Sequence, residues 1–418
     1  MNKIVVTGMG ILCSIASSIK EFTIALRTGK NGIRFCQEAY RNIGAELVDF
    51  QFIQALEKMS LDANLRKRAQ ICARRSPPSV QAAAICALEA WQQAQLSQQI
   101  EASRIGLVVA GQNINQNYQY QMQEKFQQHS DYLPPSYALH FMDTDHVGTL
   151  SEIFSIQGEG FTVGGASASG NVAIIQGYRL LQCGVVDVCL VVGAMADLSP
   201  VEFQAFTALG AMGGKRFGKI PEQACRPFDR NCEGFIYGQG SGCLILETQE
   251  SANARNAEIV AQIAGGALVL DGNRLADPSQ EGEAKAMSAA MQQSGIKPTE
   301  VNYINAHGTA SPLGDRTEIA AIKNLFGNGV KKIWINSSKS LIGHCLYASG
   351  VVEAIATIVQ MCNGFVHPNL NLDQPIDTDC RFVSRSSETA EIIVALSNSF
   401  GFGGINSSLV LRREKLWK

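Results

Sequence analysis

The chain has 418 residues, enough to bury a large core in one large domain or in two fused ones. Its composition is typical of a globular α/β protein, with 46% hydrophobic residues, 17% charged residues and 39 glycines to supply strand–helix turns. The formal net charge of −2 argues against nucleic-acid binding, which needs a basic surface.

Membrane and export signals are missing from the sequence. No apolar run is long enough to span a bilayer, and the N-terminal stretch lacks the long apolar core of a signal peptide. The 12 cysteines are scattered, with no CxxC pair and no Cys/His cluster at metal-ligand spacing. We therefore expect reduced and mostly buried thiols, no metal, no membrane partner and a cytoplasmic location.

Strand signals recur along the chain, and apolar helical patterns alternate with them. The strand segments are, in chain order, KIVVTG, RIGLVVAG, VDVCLVVGAM, GCLILETQE, VNYINAHG, KIWINSS and SSLVLRR. Helical spacing of apolar residues marks SVQAAAICALEAWQQAQ and ASGVVEAIATIVQMC. This alternation predicts an α/β fold around a mostly parallel, buried sheet.

The first strand carries two glycines in the segment VTGMGILCS. Gly8 and Gly10 suit a dinucleotide-binding turn, but Cys13 stands where such a turn needs its third glycine. No acidic residue closes a second strand at the required distance. We interpret these glycines as structural and predict no NAD site.

The middle of the chain contains a glutamine-rich segment and a predicted boundary between two halves. Residues 113–131 are rich in Gln and Asn without clean periodicity, which predicts a surface excursion. A second series of strands and helices begins after residue 250, so we predict two halves, residues 1–250 and 251–418. A duplicated α/β unit would produce this arrangement, although the sequence shows no obvious repeat.

The segment GEGFTVGGASASGN, residues 158–171, indicates a strand, a tight turn and a helix. Small residues let the chain reverse sharply, and Ser167 falls near the first turn of the helix, facing unpaired N–H groups. Nucleophiles often occupy such elbows. A serine needs a base to act as one, however, and none stands beside it in sequence.

Two of the six histidines follow predicted strands and lie in glycine-bearing loops of the second half. Catalytic groups in α/β folds tend to occupy such loops, so these histidines and Ser167 together predict a functional pocket. The segments are NAHGTASPLGDRTE with His307, Asp315 and Glu318, SSKSLIGHCLYASGVVEA with Lys339, His344 and Glu353, and SNSFGFGGINSS with Phe400 and Phe402.

These residues carry a resemblance to the β-ketoacyl-acyl-carrier-protein synthases of the thiolase superfamily. VVTGMG, CRPFDRNCEGFIYGQGSG, NAHGTASPLGD, SSKSLIGH and NSFGFGG match that family in order and cover nearly the whole chain. The resemblance implies a thiolase-like, five-layered α-β-α-β-α fold of two duplicated halves, usually a homodimer. It also implies a Cys-His-His active site that the phosphopantetheine arm of a carrier protein reaches.

Most of the family's site residues carry over to this chain. His307 and His344 match the two histidines, and Phe402 matches the gating phenylalanine whose backbone N–H helps to form an oxyanion hole. Lys339 and Glu353 match the lysine and glutamate that support the histidines. The resemblance also implies carrier-protein and phosphopantetheine contacts at Arg66, Lys67, Arg68, Thr309 and Phe400. For the basic run LRKRAQICARR, a solvated helix face or a dimer-interface cluster remains an equal alternative.

The nucleophile does not carry over, because Ser167 stands where the family has cysteine. Glu233 and Gln239 are smaller departures, at positions where the family usually has Asp and Glu. A cysteine at a helix N-terminus reaches the thiolate form near neutral pH, but a serine hydroxyl does not, so acyl loading should be crippled. Decarboxylation of a malonyl thioester needs no nucleophile, only hydrogen-bond donors for the enolate oxygen.

Serine-bearing homologues of this kind resemble malonyl-carrier-protein decarboxylases of polyketide β-branching cassettes. This interpretation predicts conversion of a malonyl-carrier to an acetyl-carrier, which supplies a hydroxymethylglutaryl-CoA-synthase-like enzyme in antibiotic biosynthesis. It implies no cofactor, because the phosphopantetheine arm arrives on the acyl carrier protein. Two alternatives stay open: a ketosynthase or acyltransferase with Ser167 as nucleophile and His307 as base, and a non-catalytic partner subunit like a chain-length factor.

Overall fold

The computed structural model describes residues 2–36, 42–96 and 100–414. The strands are β1 (Ile4–Cys13), β2 (Arg34–Phe35), β3 (Ile43–Gly44), β4 (Ile105–Ala110), β5 (Gly160–Val163), β6 (Val188–Gly193), β7 (Gly240–Thr248), β8 (Ala261–Leu270), β9 (Tyr303–Asn305), β10 (Trp334–Asn336), β11 (Phe365–Val366), β12 (Arg381–Phe382), β13 (Glu388–Thr389), β14 (Val394–Gly401) and β15 (Ile405–Arg412).

Helices connect and cover these strands. They are α1 (Ile19–Thr28), α2 (Phe52–Lys58), α3 (Ala63–Ala73), α4 (Pro78–Ala94), α5 (Gln116–Gln128), α6 (Tyr137–His140), α7 (Thr144–Phe154), α8 (Ser169–Gln182), α9 (Pro200–Ala208), α10 (Gln249–Ala254), α11 (Gln280–Ser294), α12 (Pro312–Phe326), α13 (Lys339–Ile342) and α14 (Ser349–Asn363). Short 3₁₀ turns occur at Ala102–Arg104, Ala166–Ala168, Pro221–Gln223, Pro298–Glu300, Gly327–Lys332 and Leu346–Ala348.

The main sheet repeats one topology in both halves of the chain. Its order is β12-β10-β9-β14-β15-β8-β1-β7-β6-β4-β5. Outward from the centre, β1-β7-β6-β4-β5 and β8-β15-β14-β9-β10 show the same sequence of two antiparallel and then two parallel pairings. The two halves are thus built alike and are joined where β1 pairs with β8.

Three apolar cores separate five layers of structure. The first lies between the strands of the first half and α4 and α7, the second surrounds α8 and α14, and the third lies under α11 and α12. Alternate residues of one strand serve two of these cores: on β4, Leu107 and Val109 face the first, and Val108 and Ala110 face the second. The predicted α-β-α-β-α arrangement is therefore confirmed.

The strand and helix predictions agree well with the structure, but the prediction of a mostly parallel sheet is wrong. Five of the ten pairings in the main sheet are antiparallel, because the strands at its centre, from β14 to β6, run antiparallel to their neighbours. The first strand's glycines are structural. Gly8 and Gly10 lie within β1, where α4 crosses so closely that an added Cβ would stand 2.1 Å from the Ala90 oxygen and 1.9 Å from the Cys86 oxygen. The pair therefore allows a helix to pack on a strand and forms no phosphate-binding turn.

Elsewhere the structure adds detail to the predictions. The glutamine-rich segment contains α5, a largely solvent-facing helix in which Met122 is buried. The predicted boundary between residues 250 and 251 falls within α10, and it stays a prediction. The 12 cysteines all lie within the described ranges, and none of them forms a disulfide there. Among the described residues, no helix is both long enough and apolar enough to cross a membrane.

Candidate active site

The predicted elbow is present, and it places Ser167 at the start of α8. The chain leaves β5, turns through Ala166–Ala168 and enters the helix at Ser169. Ala166 has φ of 47°, a left-handed conformation that a non-glycine residue rarely adopts and that turns the chain sharply here. Ser167 is half-buried and faces the cavity at this end of the sheet.

His344 meets this serine from the second half of the chain. Its Nε2 lies 2.9 Å from the Ser167 Oγ. On the other side of the ring, the backbone N–H of Leu346 donates to Nδ1 at 3.3 Å, and the Ser349 Oγ lies 2.8 Å from the same nitrogen. Because an amide can only donate, Nδ1 must be the unprotonated nitrogen. We therefore assign the proton to Nε2, which donates to Ser167.

His307 stands beside His344, with ring centroids 5.6 Å apart and planes at 82°. Glu318 fixes the backbone around it, accepting from the His307 and Gly308 N–H groups at 2.8 Å each. The His307 Nδ1 is buried and has no hydrogen-bond partner among the described residues. The loop is thus held by its main chain, and the His307 ring lines the cavity at this end of the sheet.

Lys339 and Glu353 form a buried ion pair behind the histidines. The Lys339 Nζ also donates to the His307 backbone oxygen at 2.6 Å. Burial raises the pKa of Glu353 to about 7, against the opposing effect of the Lys339 charge. Burial first, and then the nearby ammonium, lower the pKa of both His307 and His344 well below the ordinary value. Both imidazoles are therefore neutral hydrogen-bonding groups near pH 7.

A cavity of about 660 Å³ joins these groups. Ser167, His307 and His344 line it, together with the predicted Thr309, Phe400 and Phe402. The Phe400 ring packs edge-on against His307 with centroids 5.6 Å apart, and Phe402 is 41% exposed, 6.5 Å from the Phe206 ring. Lys339 and Glu353 support the site from behind and are not on its wall.

The basic run lies away from this cavity, on α3. Arg66 donates to the backbone oxygens of Glu57 and Met59, Arg68 donates to the Ser155 hydroxyl, and Lys67 is exposed. None of these three lines the cavity wall. Their proposed role in carrier docking concerns the outer surface and stays a prediction.

Several groups at the site could not be predicted from the sequence. Ser349 and the Leu346 amide set the protonation of His344, and Glu283 and Arg274 line the cavity. The local sequence gives no signal for Glu283, because SQEGEAK is an ordinary capped helix start. The Ser349 contact could be suspected only from its position five residues after His344, at the start of a helix.

Comparison with known proteins places this chain in a family. The chain matches the β-ketoacyl synthase N-terminal domain over residues 1–252 and the β-ketoacyl synthase C-terminal domain over residues 260–373. It is 38% identical to the polyketide biosynthesis malonyl-ACP decarboxylase PksF of Bacillus subtilis (strain 168), covering 99% of this chain and 97% of that one. It is 31% identical to 3-oxoacyl-acyl-carrier-protein synthase 2 of Staphylococcus aureus (strain COL), covering 99% of this chain and 98% of that one.

Solved structures agree with this placement. A type II PKS acyl-carrier protein in complex with its ketosynthase contains a chain that superposes with a TM-score of 0.85 at 26% identity, covering 99% of this chain and 100% of that one. A β-ketoacyl synthase from Burkholderia phymatum STM815 also superposes with a TM-score of 0.85, at 27% identity and with the same coverage. The fold is thiolase-like, and the chain belongs to the β-ketoacyl synthase family.

Proposed function

We propose that this protein decarboxylates a malonyl thioester carried on an acyl carrier protein and releases the acetyl thioester. The observation that carries the proposal is the orientation of His344. Its Nε2–H donates to Ser167, so the ring offers that serine no lone pair to accept its proton. A hydroxyl without a base acylates poorly, whereas a neutral N–H donor suits a developing oxyanion.

The reaction begins when the thioester carbonyl oxygen enters between the two imidazoles. Loss of CO₂ places negative charge on this oxygen as an enolate, and N–H groups of His307 and His344 stabilise it. Both rings are neutral because their pKa values are lowered, and a neutral imidazole carries one N–H that can donate to the oxygen. The enolate carbon then takes a proton and leaves as an acetyl thioester.

The PksF relative, whose name states malonyl-ACP decarboxylation, supports this choice of reaction. Other relatives are 3-oxoacyl synthases, so the shared fold alone does not select it. The serine-nucleophile alternative names His307 as the base. The imidazole that lies within hydrogen-bond distance of the Ser167 Oγ is instead that of His344, and we assign an N–H to its facing nitrogen. A partner subunit without chemistry would gain nothing from the two neutral histidines or from the buried Lys339 behind them.

The substrate implies partners. We propose an acyl carrier protein as the donor of the malonyl group, a hydroxymethylglutaryl-CoA-synthase-like enzyme as the consumer of the acetyl group, and a homodimer as the working assembly. Within the described ranges, the free edge of β5 ends the main sheet, and such an edge suits pairing with a second copy. A structural neighbour titled as a ketosynthase in complex with its acyl-carrier protein supports the carrier.

Mass spectrometry of a malonyl-loaded carrier protein tests the proposal directly. Incubation with the purified chain should convert malonyl-carrier to acetyl-carrier without metal or acceptor, and a double variant with alanine at His307 and His344 serves as the inactive control. A parallel incubation with malonyl-CoA asks whether the carrier protein is needed. Unchanged malonyl-carrier across several carrier proteins would favour the partner-subunit alternative, and an acyl group trapped on Ser167 would favour the nucleophile.

A further inference from the structure

Four buried or half-buried carboxyl groups line the catalytic cavity, besides the exposed Asp277 at its mouth, and the mechanism above uses none of them as an acid. Glu283 lies in the first turns of α11, Asp315 and Glu318 lie on the adjacent α12, and Asp271 follows β8. Glu283, Asp315 and Glu318 are each 1% exposed. Charged carboxylates at this density repel one another, so some of them must be neutral.

Three of these carboxyl groups accept hydrogen bonds from neighbouring residues. Glu318 accepts three N–H groups, from the backbone of the histidine loop and from Asn398 at 3.1 Å. Asp271 accepts from Asn406 at 2.8 Å, and Asp315 accepts from the Phe228 amide at 2.6 Å. These hydrogen bonds favour the charged forms and tie the three groups to their neighbours, although burial still raises the pKa of Asp315 to about 7 and that of Glu318 above its ordinary value.

Glu283 differs from these three groups. Its Oε2 is buried and has no hydrogen-bond partner among the described residues, a property that it shares with Asp315 Oδ1. Asp315 accepts a hydrogen bond at its other oxygen, however, whereas only burial and neighbouring charges act on the Glu283 carboxyl. Burial, and then the charges of Glu318, Asp271 and Asp315, raise the pKa of Glu283 well above its ordinary value. The group therefore stands on the cavity wall as a neutral carboxylic acid with a proton to give.

After the decarboxylation, the enolate carbon needs one proton to become the methyl group. A condensing enzyme uses the enolate carbon to attack an acyl group, but a chain with Ser167 has no loaded acyl group to attack. This inference therefore rests on the proposed function. We propose that Glu283 is the acid that protonates the enolate carbon.

The step balances as a simple proton transfer. The C–C bond of the malonyl group breaks, CO₂ departs, and its bonding pair becomes the enolate. The carbon takes the Glu283 proton to form the methyl group, and the resulting carboxylate regains a proton from water through the cavity mouth, where Arg274 and Asp277 are exposed. A neutral acid at this position also avoids repelling the malonyl carboxylate as it enters.

The test replaces Glu283 by glutamine, which keeps the shape and removes the acidic proton. The rate of acetyl-carrier formation should fall by about a hundredfold, the lower range for losing a general acid. The Glu283→Asp variant, which keeps an acid one methylene shorter, should recover part of the rate. Glu281→Gln is the matched control, because Glu281 lies in the same turn but is exposed and paired with Lys285, and its rate should stay unchanged.

Two further measurements separate proton delivery from a structural role. In equal parts H₂O and D₂O, the ratio of CH₃ to CH₂D in the acetyl product should differ between wild type and Glu283→Gln, because different acids deliver the proton. The wild-type rate should also fall as pH rises through the raised pKa of Glu283, and this fall should be absent from Glu283→Gln. The groups facing Glu283, namely Asp271, Asp315 and Glu318, stay in place in both proteins.

The outcomes are distinguishable. A wild-type chain that leaves malonyl-carrier unchanged overturns the proposed function and this inference with it. A wild type that decarboxylates, with a Glu283→Gln variant of equal rate and equal isotope ratio, overturns this inference alone. If the Glu283→Gln variant does not fold, the pH profile of the wild type serves as the test. A wild-type rate that stays constant as the pH rises would then overturn the role of Glu283.

Discussion

The two halves of the molecule use the same turn for different purposes. Ala166–Ala168 precedes α8 in the first half, and Leu346–Ala348 precedes α14 in the second. Each turn opens on a residue with left-handed backbone, at φ of 47° for Ala166 and 49° for Leu346. Each turn ends in an alanine that the Ser-Gly of the following helix continues. The geometry and a short piece of sequence, Ala-Ser-Gly, are therefore both repeated.

The difference between the turns lies in their side chains. Ser169, directly after the first turn, donates back to the Ala166 oxygen at 2.7 Å, whereas Ser349, directly after the second, lies 2.8 Å from the His344 Nδ1. The middle residues are Ser167 and Tyr347, and both line the cavity. One turn thus presents a group to the substrate, and the other orients a histidine toward it. The two halves therefore provide similar scaffolds, and the chemistry is divided between them.

The largest effect should come from the histidines that the second half contributes. His307→Ala or His344→Ala removes a donor from the enolate oxygen, so each should lower the decarboxylation rate by roughly a hundred- to a thousandfold. The double variant should lose little more, because both donors act on one oxygen as a unit. Steady-state rates of acetyl-carrier formation measure this, with the exposed His129→Ala as control. Losses that multiply would contradict a shared oxyanion site.

The wild-type pH profile sharpens this prediction. Lowered pKa values keep both rings neutral as the pH falls past the ordinary histidine value of about 6.5. The rate should therefore show no acid-side loss centred there. A loss that the His307→Ala variant abolishes would mean that His307 titrates normally and is not the buried neutral donor described above.

A smaller effect, on stability, is expected from substitutions where the starts of α8 and α14 are in contact. Gly170 and Gly350 pack backbone to backbone, and an added Cβ would stand 2.6 Å from the Gly350 nitrogen in one case and 2.4 Å from the Asn171 nitrogen in the other. Gly350→Ala should therefore lower the free energy of unfolding by about 3 kcal/mol, as overpacking does. Urea denaturation measures this.

The matched control for this substitution is Gly148→Ala. Gly148 lies in α7, where an added Cβ would meet nothing within 4 Å. Alanine should stabilise that helix by roughly 0.5–1 kcal/mol, because it restricts the unfolded chain. Equal stability of the two variants would mean that α8 and α14 separate easily, and the comparison of the halves would lose its physical basis.

The smallest effect should follow from Ser167→Ala. The hydroxyl accepts from His344 and has no covalent role in the proposed reaction, so the rate should fall within about tenfold. Ser167→Cys restores a thiol at the helix N-terminus and should allow acyl loading, which intact-protein mass spectrometry detects. An alanine variant as inactive as the histidine variants, with an acyl-serine on the wild type, would replace this mechanism by nucleophilic catalysis.

Local pattern predicted the alternating strands and helices, the elbow at Ser167 and the loops of His307 and His344. Those features depend on neighbouring residues and on turn chemistry, which a sequence displays directly. The duplication was suggested only by the order of strands and helices along the chain. Buried strands accept many different apolar residues, so the two halves need not share a sequence. Ala-Ser-Gly occurs in both halves, where the backbones of α8 and α14 are in contact. A motif of three residues is too short to be recognised as a repeat in the sequence.

The carboxyl group of Glu283 illustrates what local pattern does not contain. Its raised pKa arises first from burial and then from the charges of Glu318, Asp271 and Asp315. Glu318 and Asp315 are distant in sequence and become neighbours of Glu283 only when α11 packs on α12. The protonation of His344 likewise depends on Ser349 and the Leu346 amide, that is, on how one turn folds back on itself. Both are consequences of three-dimensional proximity.

The pairing of β1 with both β7 and β8 has a consequence for synthesis on the ribosome. β1 pairs with β7 along nearly its whole length, but residues 4–6 also pair with residues 261–263 of β8. While the nascent chain emerges, the first half can assemble its own strands, yet this short edge of β1 stays uncovered until β8 has left the exit tunnel. An open strand edge invites pairing with other chains, so translation pauses before residue 261 would lengthen the interval in which aggregation competes with folding.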